Sequence, residues 1–254
     1  MKVYSIYFSP TGGTKKVADL VAGAWGGQKE EIDISRREAD YSVYKFEPSD
    51  LCLVAVPSFG GRVPGIALER LSAMSGGGAK TVMAAVFGNR AIDDTLLELE
   101  DTLIGAGFHP VAAMEANAEH SIMHQFGAGR PDGEDGEELR EFAAKIQEKL
   151  WGTAEEEPVQ VPGKRPFKEY KGVPFKPEAG KNCTSCGLCA KECPVGAIPQ
   201  ENPKTMDKEI CISCMRCIAV CPQKARGNNK AVLFAASQRL KKELGGRKVN
   251  RLYL

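Results

Sequence analysis

A cysteine motif that occurs twice constrains this chain of 254 residues more than any other feature. The spacing C-x2-C-x2-C-x3-C-P is found at residues 183–194 and again at 211–222, offset by 28 residues. The two-residue gaps let one tight loop direct three thiolates at one object, while the fourth cysteine begins a segment that leads away. This spacing is the ligand pattern of bacterial [4Fe–4S] clusters, in which the fourth cysteine ligates the other cluster.

The two motifs therefore predict two clusters with crossed ligands. The first cluster takes three cysteines of the first motif and the last cysteine of the second, namely Cys183, Cys186, Cys189 and Cys221. The second cluster takes the other four, namely Cys211, Cys214, Cys217 and Cys193. Structural zinc usually takes paired C-x2-C hooks, which three cysteines in each loop fit badly. A disulfide scaffold would need an oxidising compartment. Residues 180–227 resemble the two-cluster bacterial ferredoxins, which implies a small α+β domain over residues 182–228.

Apolar runs in residues 1–151 predict a parallel sheet with helices on both of its faces. Strands are expected at residues 2–8, 30–34, 51–56, 81–87 and 108–114, of which the third and fourth are continuous apolar runs typical of central strands. Helical periodicity fills the gaps at about 65–74, 92–105 and 134–151. Five strands alternating with helices predict a doubly wound α/β fold, and the alternating second strand favours the order 2-1-3-4-5.

A loop rich in hydroxyl groups and glycine lies between the first strand and the first helix. Its candidate ligand residues are Ser9, Thr11, Gly12, Gly13 and Thr14. Backbone N–H groups converge at such a turn, and the helix dipole favours an anion, so phosphate is the expected guest. The loop lacks the lysine of a Walker motif and the spacing G-x-G-x-x-G. An ordinary strand–helix turn is the alternative interpretation.

This loop resembles the flavodoxin phosphate loop S-x-T-G-x-T, and residues 1–150 resemble flavodoxins in their overall pattern. The resemblance implies that FMN binds between the first and third strands with its phosphate in this loop. It also implies contacts to the isoalloxazine ring from the loops after the third and fourth strands, at Ser58, Phe59 and Gly60 and at Gly88, Asn89 and Arg90. Phe59 is the residue of its loop that can stack on the ring. The alternative is that Phe59 only packs the loop.

Residues 116–133 contain two histidines spaced four apart, His120 and His124. On a helix they would share a face and could bind a metal, but no third ligand is evident nearby. The other interpretation is an inserted loop near the flavin edge. Cys52 lies within an apolar strand, which predicts a core position for this ninth cysteine.

Residues 152–181 predict an extended, semi-rigid linker, since they contain prolines at 158, 162, 166, 174 and 177. Residues 229–254 predict a basic helix and tail. Residues 1–150 have 15 basic and 23 acidic side chains, a net charge of −8, whereas residues 151–254 have 19 and 10, a net charge of +9. The basic half is therefore expected to dock on the acidic one, and nucleic acid or an anionic membrane is the alternative partner.

Together the two halves resemble the fused flavodoxin–ferredoxin proteins of anaerobic bacteria and archaea. The resemblance implies an electron-transfer flavoprotein that passes electrons between two [4Fe–4S] clusters and FMN and exchanges them with redox protein partners. No catalytic acid, base or nucleophile is needed, and none is apparent. The alternatives are a flavin-dependent reductase of a small organic substrate and a redox sensor that binds a partner or nucleic acid. No apolar run approaches 18 residues and no signal peptide is evident, so a cytoplasmic location without membrane insertion is expected.

Overall fold

The larger part of the chain is a sheet of parallel strands that alternate with helices. A computed structural model describes residues 2–26, 28–152 and 157–254. In chain order the elements of this part are β1 (Val3–Tyr7), α1 (Gly13–Ala24), β2 (Lys29–Asp33), β3 (Leu51–Pro57), α2 (Gly65–Ser72), β4 (Lys80–Phe87), α3 (Thr95–Gly105), β5 (His109–Asn117) and α4 (Gly133–Trp151). The parallel strands follow the order β2-β1-β3-β4-β5, which confirms the predicted doubly wound α/β fold.

The central strands are buried on both faces, which explains why their sequences are continuous apolar runs. In β3, Val54 and Val56 enter the core under α2 and α3, whereas Leu53 and Ala55 enter the core under α1 and α4. Cys52 is fully buried in the same strand. Because parallel strands end at one edge of the sheet, the loops after β1, β3, β4 and β5 are brought together there.

The cysteine motifs form a small domain with little regular structure. Its elements are β6 (Glu178–Ala179), α5 (Leu188–Lys191), α6 (Arg216–Ala219) and β7 (Arg226–Gly227), with β6 antiparallel to β7. Its compact core consists of Cys189, Ala190, Ile198 and Cys217. So few apolar side chains cannot stabilise a domain alone, and metal–thiolate bonds are the usual remedy in domains of this size.

The segment between the two domains packs against the first one. Its residues 153–156 lie outside the described residues, and residues 157–177 form no helix or strand. Val159 is buried in the core of the first domain, and Asp94 accepts hydrogen bonds from the backbone N–H groups of Lys164 (3.1 Å) and Lys168 (2.6 Å). The extended segment is thus held along its length by the acidic domain.

The last residues return from the cysteine domain to the sheet. Helix α7 (Lys230–Leu244) is followed by β8 (Arg251–Tyr253), which pairs antiparallel with β5 as a sixth strand. The side chains of Arg251 and Tyr253 both donate to Glu115, at 2.8 and 2.9 Å. Basic groups of the tail therefore dock on the acidic domain, as its charge predicted. Within the described ranges, every helix is too short or too polar to cross a membrane.

Candidate functional site

The eight motif cysteines surround two separate cavities. What we call the first cysteine cavity is lined by Cys183, Cys186, Cys189 and Cys221. The second cysteine cavity is lined by Cys193, Cys211, Cys214 and Cys217. Each cavity thus receives three cysteines from one motif and the last cysteine of the other. This is the grouping that crossed ligation requires, and four thiols around a cavity suit a cubane cluster.

The same backbone geometry aims the thiols in both motifs. Ser185 and Ser213, which correspond in the repeat, both have positive φ, of 58° and 56°. The next corresponding pair, Gly187 and Met215, is also left-handed, at 77° and 62°. These turns direct the N–H groups inward as well, because Ser213 N lies 3.4 Å from the sulfur of Cys211. Hydrogen bonds of this kind to ligand sulfurs raise the potential of an iron–sulfur cluster.

The two cysteine cavities differ in their access to solvent. In the first, Cys186 is exposed and Cys183 is half-buried. In the second, Cys214 and Cys217 are both buried. Cys189 of the first cavity is also buried and Cys211 of the second is half-buried, so the difference lies in the exposed thiol of Cys186.

A larger cavity of about 220 Å³ lies at the carboxyl edge of the parallel sheet, and we call it the sheet-edge cavity. It is lined by residues that the sequence singled out in three loops: Thr11, Gly13, Thr14, Ser58, Phe59, Gly60, Gly88 and Arg90. Residues 118–123, after β5, form a further wall. The cavity is therefore at the position where doubly wound folds bind their ligands.

The loop after β1 forms one end of the sheet-edge cavity. Helix α1 begins at Gly13, preceded by Gly12 with φ 94° and with no side-chain cap. The first N–H groups of a helix have no intrahelical acceptor, so those of Gly13 and Thr14 can bind an anion here, whereas the N–H of Lys15 donates to Ser9. The ammonium group of Lys15 pairs with Asp19 and Glu31 instead, at 2.8 and 2.9 Å. The loop thus offers backbone and hydroxyl donors to a phosphate.

Two aromatic side chains meet the cavity from different parts of the chain. Phe59 comes from the loop after β3, as predicted, and Tyr170 comes from the inter-domain segment. Gly60 has a φ of 62°, and a Cβ atom placed there would overlap the ring of Tyr170. The tyrosine ring therefore packs directly on the glycine backbone, and burial raises its pKa. A planar ring system would fit between such aromatic faces.

Among the described residues, three of the predicted flavin contacts do not line the sheet-edge cavity: Ser9, Gly12 and Asn89. The hydroxyl of Ser9 accepts a hydrogen bond from Lys15 N at 2.8 Å and so shapes the loop. The buried amide of Asn89 donates to the carbonyl groups of Leu244 and Gly246, the latter at 2.8 Å. Asn89 thus anchors the end of α7 instead of facing the cavity.

The two histidines have different environments. His120 lines the cavity, and its Nδ1 accepts hydrogen bonds from Ile122 N (3.1 Å) and Met123 N (3.2 Å). Burial, reinforced by His124, lowers the pKa of His120 to about 4, so this ring is neutral and carries its proton on Nε2. His124 pairs with Glu119 at 2.7 Å. Across the described ranges, no three metal-binding side chains gather as single-ion ligands.

The sheet-edge cavity and the second cysteine cavity share a wall. Cys214 lines both of them, and Ser213 beside it also lines the sheet-edge cavity. Arg216 reinforces this junction, because its Nη1 donates to the carbonyl oxygen of Pro10 at 3.2 Å and its Nη2 pairs with Glu192. The phosphate-type loop and the second motif are therefore joined by direct contact.

The comparisons with known proteins assign the cysteine domain. Residues 174–226 match the family model described as a 4Fe-4S dicluster domain. This chain joins a flavodoxin-like domain to a 4Fe-4S dicluster domain. The second domain accordingly holds two [4Fe–4S] clusters, and such clusters carry electrons. The residues that ligate each cluster are assigned below as a proposal.

Curated relatives match less than a quarter of this chain. One of them, a component of the ion-translocating oxidoreductase complex of Methanosarcina acetivorans, is 45% identical over 56 residues, 22% of this chain and 21% of that protein. A trichloroethene reductive dehalogenase of Dehalococcoides mccartyi is 36% identical over 78 residues, 24% of this chain and 14% of that protein. The chain thus spans about a fifth or less of the length of these relatives.

Solved flavodoxins are similar to the first domain. Flavodoxin 2 of Bacillus cereus is 17% identical, with a TM-score of 0.44, over 59% of this chain and 99% of that one. A flavodoxin from the domain Archaea is 15% identical, with a TM-score of 0.44, over 60% of this chain and all of that one. The assignment of the fold rests on the strand order described above.

Several residues that line the sheet-edge cavity belong to no recognisable sequence motif and were not predicted. They belong to the inter-domain segment and to α7: Tyr170, Val173, Phe175, Leu240 and Leu244. One signal was available, because aromatic residues placed among prolines indicate a segment that packs rather than one that only spaces domains. Nothing in the sequence indicates which surface they cover.

Proposed function

We propose that this protein passes electrons between its two [4Fe–4S] clusters and an FMN bound in the sheet-edge cavity. One observation carries the proposal: Cys214, placed by its motif among the cluster ligands, also lines the cavity in which FMN would bind. A ligand thiolate in the wall of a flavin site would bring the two centres close together. The protein's contribution is this placement, together with the exclusion of water.

The cluster ligands are assigned from the grouping of the thiols. The first cluster takes the four cysteines of the first cysteine cavity, and the second cluster takes the four cysteines of the second. Cys193 of the first motif lies with the cysteines of the second, and Cys221 of the second motif lies with the cysteines of the first. Each cluster therefore needs ligands from both motifs. The support is the lining of the two cavities and the spacing of the motifs.

FMN is the flavin that fits the sheet-edge cavity. The phosphate would be held at the start of α1 by Thr11, Gly13 and Thr14, and the ring would lie between Phe59 and Tyr170. Bound FMN can take up one or two electrons, whereas each cluster takes one. His120, held neutral with its proton on Nε2, lines the same cavity. These residues bind and orient the ring and keep solvent from it.

The two ends of the electron route differ in exposure. The first cluster would lie beneath the exposed Cys186, whereas the second lies behind the buried Cys214. A redox protein partner would therefore exchange electrons at the first motif. Lys181 precedes that motif, Lys224 follows Cys221 of the same cavity, and both are exposed, which favours a partner with an acidic surface.

The geometry favours a carrier over the two alternative functions. Tyr170, Phe175 and Leu244 line the cavity and occupy space there that a substrate of a reductase would need. For a sensor, the tail would need free positive charge, but two of its arginines pair with carboxylates of their own chain, Arg247 with Asp132 at 2.7 Å and Arg251 with Glu115 at 2.8 Å. Both observations support internal electron transfer.

The test is rapid-mixing reduction of the anaerobically purified chain, loaded with iron and FMN. Flavin and clusters are followed separately by their absorption after mixing with a one-electron reductant. We expect the second centre to follow the first at a rate that is independent of protein concentration. A rate that rises with protein concentration would show transfer between molecules and would refute the internal route. The purified chain should contain about eight irons, as two four-iron clusters require.

A further inference from the structure

The internal repeat places an arginine where the other half has an isoleucine. With the offset of 28 residues, Arg226 corresponds to Ile198, and each follows the last cysteine of its motif by five residues. Arg226 lines the first cysteine cavity, and Ile198 lines the second. The two cavities are thus alike in their thiols and different in the charge beside them.

The guanidinium of Arg226 is buried and reaches a cluster thiol. Its residue is only 4% exposed. Nε donates to the sulfur of Cys189 at 3.3 Å, and the other nitrogens donate to the carbonyl groups of Pro177 (3.2 Å), Thr205 (3.2 Å) and Pro203. The side chain is therefore fixed in one orientation, with one N–H directed at sulfur.

Throughout the described residues, no carboxylate forms an ion pair with Arg226. A buried cation needs a compensating anion, because desolvation of an isolated charge is costly. The four thiolates of the first cysteine cavity are the nearest source of negative charge. An otherwise unpaired buried guanidinium at this position therefore points to an anionic cluster as its partner.

The second cysteine cavity has a cation of a different kind. Arg216 lines it and corresponds to Leu188 in the repeat, but its guanidinium pairs with Glu192 and donates to Pro10, and it is partly exposed. The ammonium group of Lys176 donates to the carbonyl of Cys211, not to its sulfur. Neither side chain directs an N–H at a thiol, so the positive charge is less available to the second cluster.

We propose that Arg226 holds the first cluster at a higher reduction potential than the second, so that the first is reduced before the second. Reduction adds an electron, and a positive N–H donor at a ligand sulfur stabilises the more negative state. The inference rests on the cluster ligands assigned under the proposed function. It adds an order of filling, with the first electron held beneath the docking surface.

The charge of Arg226 acts over a longer range than its hydrogen bond, because Coulomb interactions fall off slowly inside a protein. Only Cys189 receives its hydrogen bond. A neutral substitution should therefore affect both clusters, and the first more strongly.

The test is an anaerobic redox titration followed by electron paramagnetic resonance. Arg226→Gln removes the charge and keeps donors for the carbonyl groups. We expect the reduction equilibrium of the first cluster to become about tenfold less favourable, the scale of one hydrogen bond to a charged group. For a one-electron couple this is about 59 mV. The second cluster should shift less.

Two variants serve as controls. Arg226→Lys keeps the charge and should keep most of the potential, and Arg216→Leu, which copies the first motif, should leave the first cluster unshifted. The signals are assigned by Cys221→Ser and Cys193→Ser, each of which alters one cluster. Equal shifts of both clusters in Arg226→Gln, or no shift, would overturn the proposal.

If Arg226→Gln does not assemble, the order of reduction in the unmodified protein decides instead. Reduction of the second cluster first would overturn the inference. Loss of the proposed function would appear differently, as missing iron or as flavin reduction that depends on protein concentration.

Discussion

The contact between Gly60 and Tyr170 makes a testable prediction about flavin binding. Gly60→Ala should place a Cβ atom into the ring of Tyr170 and move that ring away from the sheet-edge cavity. The substitution also strains the backbone, since φ is 62°, at a cost of about 1–2 kcal/mol in folding stability. The ring displacement is a separate effect, and it should appear in FMN affinity.

The size of the affinity loss follows from the contact that is lost. An aromatic ring pair contributes about 1 kcal/mol beyond the area that it buries, which is roughly a fivefold rise in Kd. Gly172→Ala is the matched control. Gly172 lies in the inter-domain segment two residues after Tyr170, has a φ of 81°, and has open space where its Cβ would be. It should lose similar stability and keep its FMN affinity.

The assay is an anaerobic titration of cluster-loaded, flavin-free protein with FMN, followed by quenching of flavin fluorescence. Tyr170→Ala should weaken binding at least as much as Gly60→Ala does, and Tyr170→Phe should not. In the Tyr170→Ala background, Gly60→Ala should have no further effect, since the ring that it displaces is absent. A full additional loss there, or equal Kd values for Gly60→Ala and Gly172→Ala, would refute a role of Tyr170 in the site.

Three further predictions concern the clusters, the tail and pH. Cys193→Ala should damage the second cluster and spare the first, and Cys221→Ala should do the reverse, as measured by iron content and paramagnetic resonance. Asn250→Ala should cost about 1–3 kcal/mol in chemical unfolding, because the buried Asn250 side chain bonds Asn117 N (2.7 Å), Asp135 (3.0 Å) and Glu138 (2.6 Å). The pKa of His120 is about 4 in the folded protein and 6.5 in an ordinary histidine. Below about pH 6.5 the unfolded chain therefore binds a proton at this residue and the folded chain does not, so the free energy of unfolding falls as the pH falls. At pH 5 the loss should be about 2 kcal/mol, and His120→Gln, compared at pH 7 and 5, should lack this component.

The sequence predicted the strands and the cysteine grouping because both depend on local patterns. Burial on both faces makes β3 and β4 apolar throughout, which is visible without any partner. Strand β8 has only three residues and pairs with β5 more than 130 residues earlier, so no pattern announces it. Its pairing with β5 depends on the position of the end of α7, which precedes it in the chain.

The wall residues of the sheet-edge cavity were predictable only where loop position decides them. The loops after β1, β3 and β4 meet because their strands are parallel, so Thr11, Phe59 and Gly88 were found. Asn89 lies in the loop after β4, as predicted, but its amide donates hydrogen bonds to the carbonyl groups of Leu244 and Gly246 instead of facing the cavity. Backbone acceptors carry no signature in a sequence, and such a partner cannot be anticipated.

The walls of the sheet-edge cavity also set an order of assembly. Its phosphate end is formed by residues 10–14, whereas Leu240 and Leu244 close it from the far end of the chain. During synthesis the parallel sheet emerges first, and the segment from α7 to β8 emerges more than 200 residues later than the loop. A nascent chain therefore has the sheet-edge cavity without its wall from α7, and that wall is in place only after β8 has joined the sheet beside β5. The carboxyl-terminal strand is thus the last part of the chain to shape the cavity.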